Sequence, residues 1–182
     1  MMRYLLFVSL LFCLLISCSS TKKIVSKTEI SMIPFWTTEL LDNEKRNDFR
    51  MILSSSKANI SGIYVVKQVN REWRGSIINE FGIKALDFIS TSKKSNLQNV
   101  IPFLNKWYIK KVIASDIQFI MEIDNPDYNK GIQSLRYFIS DTLTVNFRNK
   151  KELQRLPDGE IKYKNHKYAL TYSLKKIYET ER

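Results

Sequence analysis

The chain has 182 residues, with 29 Lys and Arg against 18 Asp and Glu, a formal net charge of +11, one histidine and two cysteines. That length is one domain's worth and enough for a real core. Both cysteines lie before residue 19, so the chain beyond them holds no thiol for a nucleophile, a redox pair or a thiolate zinc site. The positive excess suits solubility and attraction to anionic lipid headgroups; with no RNA-stacking motif, zinc-finger spacing or internal repeat, nucleic acid is not an expected partner.

In chain order, Arg3 is followed by the uncharged run YLLFVSLLFCLLIS, which has the length of a signal-peptide core and falls short of the ~20 residues a spanning helix needs. At its end, Leu15-Ile16-Ser17-Cys18 resembles a bacterial lipobox. The resemblance implies cleavage before Cys18, a diacylglycerol on its thiol and acylation of the new amino terminus. Residues 1–17 are then signal and residues 18–33, rich in Ser, Thr and Lys, a lipidated tether. The alternative is an ordinary signal peptide with Cys18 incidental. Cys13 does not fit, because Leu11-Phe12 precede it and the apolar run continues past it. Ser19 stands where enteric lipoproteins retained at the inner membrane carry aspartate, and residues 20–23 lack an acidic surface-export cluster. These features point to a periplasm-facing outer-membrane anchor.

Residues 34–182 read as one domain. Residues 37–46 suggest a short helix capped by Thr37 or Thr38, with a loop as the alternative. From Phe49 the rhythm turns to period two: Phe49, Met51 and Leu53 alternate with their neighbours. Residues 60–70, 71–79 and 83–90 read as further strands of a meander, with a turn near Asn70-Arg71. Residues 99–123 change period: Val100, Phe103, Leu104, Trp107, Tyr108 and Val112 follow helical spacing, Pro102 suits a first turn, and Ser115-Asp116 suggest a break and a second N-cap. Residues 124–131 have turn chemistry. Strands are expected at 132–140, 142–149, 161–165 and 167–179, with a turn at 156–160 and a hairpin around Asn165-His166. The expected fold class is α+β: a curved antiparallel sheet or incomplete β-barrel packed on central helices.

The segment from Ser61 to Phe88, with SGIYVVKQ, INEFG and KALDF, resembles small uncharacterised Bacteroidetes lipoproteins. Over residues 49–178 the layout is similar to the lipoprotein carrier LolA and receptor LolB, and this resemblance implies a half-barrel sheltering acyl chains. The exposed apolar loop tip of the receptor has no counterpart at residues 70–72, which puts cargo insertion, though not apolar ligand binding, outside what the resemblance implies.

The candidate ligand-binding residues are Phe103, Trp107 and Tyr108, aromatic positions on the helical segment that line a cavity or else simply pack the core, and Phe81. In Asn79-Glu80-Phe81-Gly82, a recognition loop competes with a plain turn in which Gly82 takes positive φ, Asn79 satisfies backbone groups and Phe81 plugs the core. His166 reads as a solvated turn residue. Asp116, Asp124, Asp127 and Asp141 lack calcium-loop spacing and read as caps and turns, so no metal or cofactor is expected. The pairs Lys93-Lys94, Lys110-Lys111, Lys150-Lys151 and Lys175-Lys176 read as solvated faces, or as a basic patch if several converge. With no nucleophile motif, an enzyme is not expected. The expectation is a membrane-anchored module binding an apolar ligand, an acyl chain or lipoprotein-like cargo. The alternative is an accessory envelope lipoprotein acting through protein contacts.

Overall fold

The computed structural model describes residues 33–56, 59–132 and 134–178. The signal, the lipobox with Cys18 and nearly all of the tether lie outside the described residues.

Among the described residues, ten strands join one antiparallel sheet. They are β1 (Asn47–Ser54), β2 (Asn59–Val69), β3 (Glu72–Asn79), β4 (Lys84–Ser90), β5 (Ser95–Gln98), β6 (Ser134–Ile139), β7 (Thr142–Phe147), β8 (Lys151–Arg155), β9 (Ile161–Asn165) and β10 (Leu170–Lys176). Their spatial order is β5-β4-β3-β2-β1-β10-β9-β8-β7-β6, so the first and last strands of the described domain pair at the centre and β5 and β6 form open edges. One long helix, α1 (Trp107–Glu122), joins the two halves, and the single-turn α2 (Pro126–Gly131) comes directly after it. This corrects the expected α+β class. A single ten-stranded antiparallel sheet dominates, it is not closed, and one helix replaces the expected central helices.

Three local causes account for the difference. Residues 37–46 form turns because Asn47 takes their backbone: its amide donates to the Asp42 and Lys45 carbonyls at 2.7 and 3.1 Å, and its oxygen accepts from the Asp42 N–H. The expected break at Ser115-Asp116 does not occur. Asp116 is spent on side chains from the sheet rather than on a cap, and the helix runs through. Finally, β5 and β8 pair as strands although each has little apolar content.

Elsewhere the period-two pattern explains the sheet. Phe49, Tyr64, Ile77 and Leu86 form one cross-strand row on the inner face, and Leu53, Tyr172, Tyr163, Leu153 and Val145 another. Asn70 and Arg71 close the β2–β3 hairpin, both at positive φ (52° and 65°), as a two-residue primed turn requires. Helix α1 lays Ile113, Ile117, Phe119 and Ile120 on the inner face, where the Phe119 ring centroid stands 5.8 Å from that of Tyr163. The segment entering the domain covers the C-terminal end of α1. Asp124 accepts from the Phe35 and Trp36 N–H groups at 2.8 and 2.7 Å, the Trp36 indole donates to the Ile120 carbonyl, and Arg136 pairs with Asp124 at 3.0 Å.

Antiparallel order sends alternate connections to the same end of the sheet. The β1–β2, β3–β4, β7–β8 and β9–β10 connections share one end, and the N-terminus of α1 lies there as well. The chain enters at the other end of the helix.

Candidate functional site

At the N-terminal end of α1 an open groove of about 580 Å³ lies between the helix and the ends of the central strands. Leu53 of β1, Ile60 of β2 and Leu170 of β10 supply the sheet side. Trp107, Tyr108 and Val112 supply the helix side, and Tyr168 with Lys167 closes it from the β9–β10 turn. The volume is that of a small-molecule site, and the lining is apolar with few polar groups. Trp107 is 74% exposed and packs edge-on against Tyr108 with ring centroids 6.0 Å apart. A tryptophan this exposed is not part of the packed core.

Of the four candidate residues, the groove brings together Trp107 and Tyr108. Phe103 precedes α1 in a 3-10 turn, is more than half exposed and does not line the groove. Phe81 is 87% exposed at the tip of the β3–β4 turn. That turn has the expected chemistry in part: Gly82 has φ +77°, and the Asn79 side chain accepts from the Phe81 and Ile83 N–H groups at 3.0 and 2.8 Å. The core plug does not form, and Phe81 and Ile83 project from the same end of the sheet as the groove.

Behind the groove lies a polar cluster that the sequence pattern did not single out. Asp116 is fully buried and accepts from the Tyr163 hydroxyl at 2.5 Å and the Asn165 amide at 2.7 Å, with the Tyr172 hydroxyl at 3.5 Å. Lys151 reaches it at 3.4 Å while donating to the Ser115 carbonyl and hydroxyl at 2.8 and 2.7 Å. Burial pushes the Asp116 carboxyl above its ordinary range, against the bonds from Tyr163 and Lys151, and burial likewise pushes the Lys151 ammonium down. Burial also raises the Tyr163 and Tyr172 phenols, with Asp116 adding to both. The signal was present: Asp116 sits between Ile113, Ile117 and Ile120 on the buried helical stripe.

Compared with family models and with curated proteins, the chain matches none. The reading of the site therefore rests on its geometry.

His166 stands in the β9–β10 turn, nearly half exposed, with Nε2 3.5 Å from a Glu152 carboxylate oxygen. Asp127 lies in the first turn of α2, and Asp124 clamps the entering segment instead of ending a helix turn.

Proposed function

We propose that the chain is a lipid-anchored envelope lipoprotein, acylated at Cys18 and facing the periplasm from the outer membrane, whose domain binds an apolar ligand in the groove at the N-terminal end of α1 without catalysing a reaction on it. The observation that carries this reading is the pair of exposed aromatics, Trp107 and Tyr108, over an apolar floor of Leu53, Ile60 and Leu170. An acyl chain laid there gains ~0.8 kcal/mol for each methylene removed from water. The lipobox-like Leu15-Ile16-Ser17-Cys18 and the resemblance of Ser61 to Phe88 to small Bacteroidetes lipoproteins support a lipid-handling context.

The test is native mass spectrometry of residues 31–182 recovered from a Gram-negative periplasm. A co-purifying mass of an acyl lipid, lost in Trp107→Ala with the fold intact, is the expected outcome. A ligand-free mass that does not change when acyl lipids are added would reject the reading.

One observation favours a second reading, an accessory lipoprotein acting through protein contacts. Phe81 and Ile83, 87% and 57% exposed, project side by side without lining the groove. On that reading, site-specific crosslinking from position 81 in cells captures one envelope protein, and Phe81→Asp abolishes the capture; the absence of any specific crosslink would count against it.

A further inference from the structure

Beside the apolar groove lies a second recess of about 220 Å³. It shares the walls Lys111, Val112, Lys167 and Tyr168 with the groove and adds Lys150 and Lys151. Among the described residues, no Asp or Glu lines either one. Four lysines from three separate parts of the chain thus meet at one end of an apolar slot. Of the lysine pairs that read as scattered along the sequence, Lys111 of one and both members of another, Lys150 and Lys151, are brought together here.

The convergence is built into the backbone. The His166 N–H donates to the Lys150 carbonyl at 2.9 Å, which fastens the β9–β10 turn carrying Lys167 to the β7–β8 turn carrying Lys150. Lys111 stands one helical turn before Ser115, whose hydroxyl and carbonyl hold the Lys151 ammonium. The four lysines are not equivalent. Lys151 is largely buried and its charge is answered by Asp116 behind the wall. Lys111, Lys150 and Lys167 are exposed, and none has a carboxylate partner among the described residues; Lys167 lies over the Tyr168 ring, 5.2 Å from its centroid. Three uncompensated positive charges therefore border the recess.

We propose that this recess holds the phosphate head of an acyl lipid whose chain lies in the adjoining groove. The assignment rests on the groove being an apolar-ligand site and adds the chemistry of the ligand's polar end. Lysine ammoniums bind phosphate as point charges, and among the described lining residues there is no arginine fork to select a planar carboxylate. A phosphate monoester brings about −1.5 to −2 charges, matching three lysines better than a single carboxylate does. The shared walls Lys111, Val112, Lys167 and Tyr168 make the head and tail sites neighbours, with two lysines standing at the junction. A neutral head would leave the three lysines uncompensated and so bind less well.

The experiment uses the full lipid-anchored chain in phosphatidylcholine vesicles and a lysophosphatidate carrying a diazirine and an alkyne on its acyl chain. After photolysis and digestion, labelled peptides are mapped. Label is expected on the peptides holding Trp107, Tyr108 and Leu170. At equal mole fraction in the vesicles, unlabelled lysophosphatidate is expected to compete about tenfold better than a monoacylglycerol of the same chain. That advantage should shrink with added salt, and to within about twofold in Lys111→Gln/Lys150→Gln/Lys167→Gln. All three side chains are exposed, so the triple variant should keep its thermal unfolding profile. Equal competition by the neutral lipid would overturn the headgroup assignment and leave the groove reading standing. Palmitate competing better than lysophosphatidate would overturn it in favour of a carboxylate head. No label on the groove peptides would overturn both.

Discussion

Asp116 shows how one buried carboxylate organises a site it does not enter. It has no exposure, yet it receives two strong hydrogen bonds and sets the position of Lys151, which walls the basic recess. Asp116→Ala leaves Lys151 without its counter-charge and the Tyr163 hydroxyl and Asn165 amide without this acceptor. It should cost about 3–5 kcal/mol of stability, measured by urea unfolding. Asp116→Ala/Lys151→Met should cost less than the single change, because it removes both charges together. Glu122 gives a prediction with a definite sign. It is 1% exposed, and its Oε2 accepts from the Asn125 amide at 2.8 Å. Burial raises its pKa above the ordinary carboxyl range, against the bonds from Asn125 and Ser90. The folded chain then keeps the proton at a pH where the unfolded chain has released it, so this group's contribution to stability falls as pH rises from about the unfolded value through the folded one. Glu122→Gln should gain stability relative to the parent over that window and lose the advantage in acid. Parallel unfolding curves at all pH values would contradict this.

At the level of the elements, what could be read in the sequence is what side-chain period encodes. Strands β1, β2, β4 and β10 bury alternating large residues, and their existence is plain from Phe49, Met51, Tyr64, Val66, Tyr172 and Leu174. Strands β5 and β8 were not legible. Each is short, and in β8 only Leu153 is buried; both are strands because a neighbour offers a ladder, and pairing leaves no trace in hydropathy. The helix was legible by its period, but its continuity was not. Ser115-Asp116 has the composition of a cap, and only the long-range bonds from Tyr163 and Asn165 reveal that Asp116 belongs to the core. The loss of the helix expected at 37–46 has a similar origin, in the side chain of Asn47. A packing prediction belongs at this scale. On β3, a Cβ on Gly75 would stand 2.4 Å from the Phe88 ring and 2.3 Å from the Val65 carbonyl oxygen. Gly75→Ala should therefore lower stability by roughly 1–3 kcal/mol, with the near-UV circular dichroism of the aromatic row disturbed. An unchanged melting temperature would show that the strands can part without cost.

Across the whole molecule, strand order sorts the chemistry to opposite ends. The chain enters at the C-terminal end of α1, where Phe35, Trp36, Asp124 and Arg136 lock together. The groove opens at the other end of the helix, at Trp107 and Tyr108, and the basic recess adjoins it along the helix from Lys111 to Ser115; the exposed Phe81 lies at the groove's end of the sheet. Of the candidate site, Trp107 and Tyr108 could be named from helical spacing. Their groove partners Leu53, Ile60 and Leu170 lie far from the helix in sequence and meet through the pairing of β1 with β2 and with β10. The tryptophans now provide a direct probe of the groove. Trp107 is exposed on its wall, Trp36 is half-buried at the far end of the helix, and Trp73 is buried on β3. The first measurement is tryptophan emission during titration with an acyl lipid brominated along its chain, using the native domain and Trp107→Phe. Binding in the groove predicts saturable quenching in the native protein and almost none in Trp107→Phe. No saturable quenching, or equal quenching in both proteins, would contradict a ligand site in this groove.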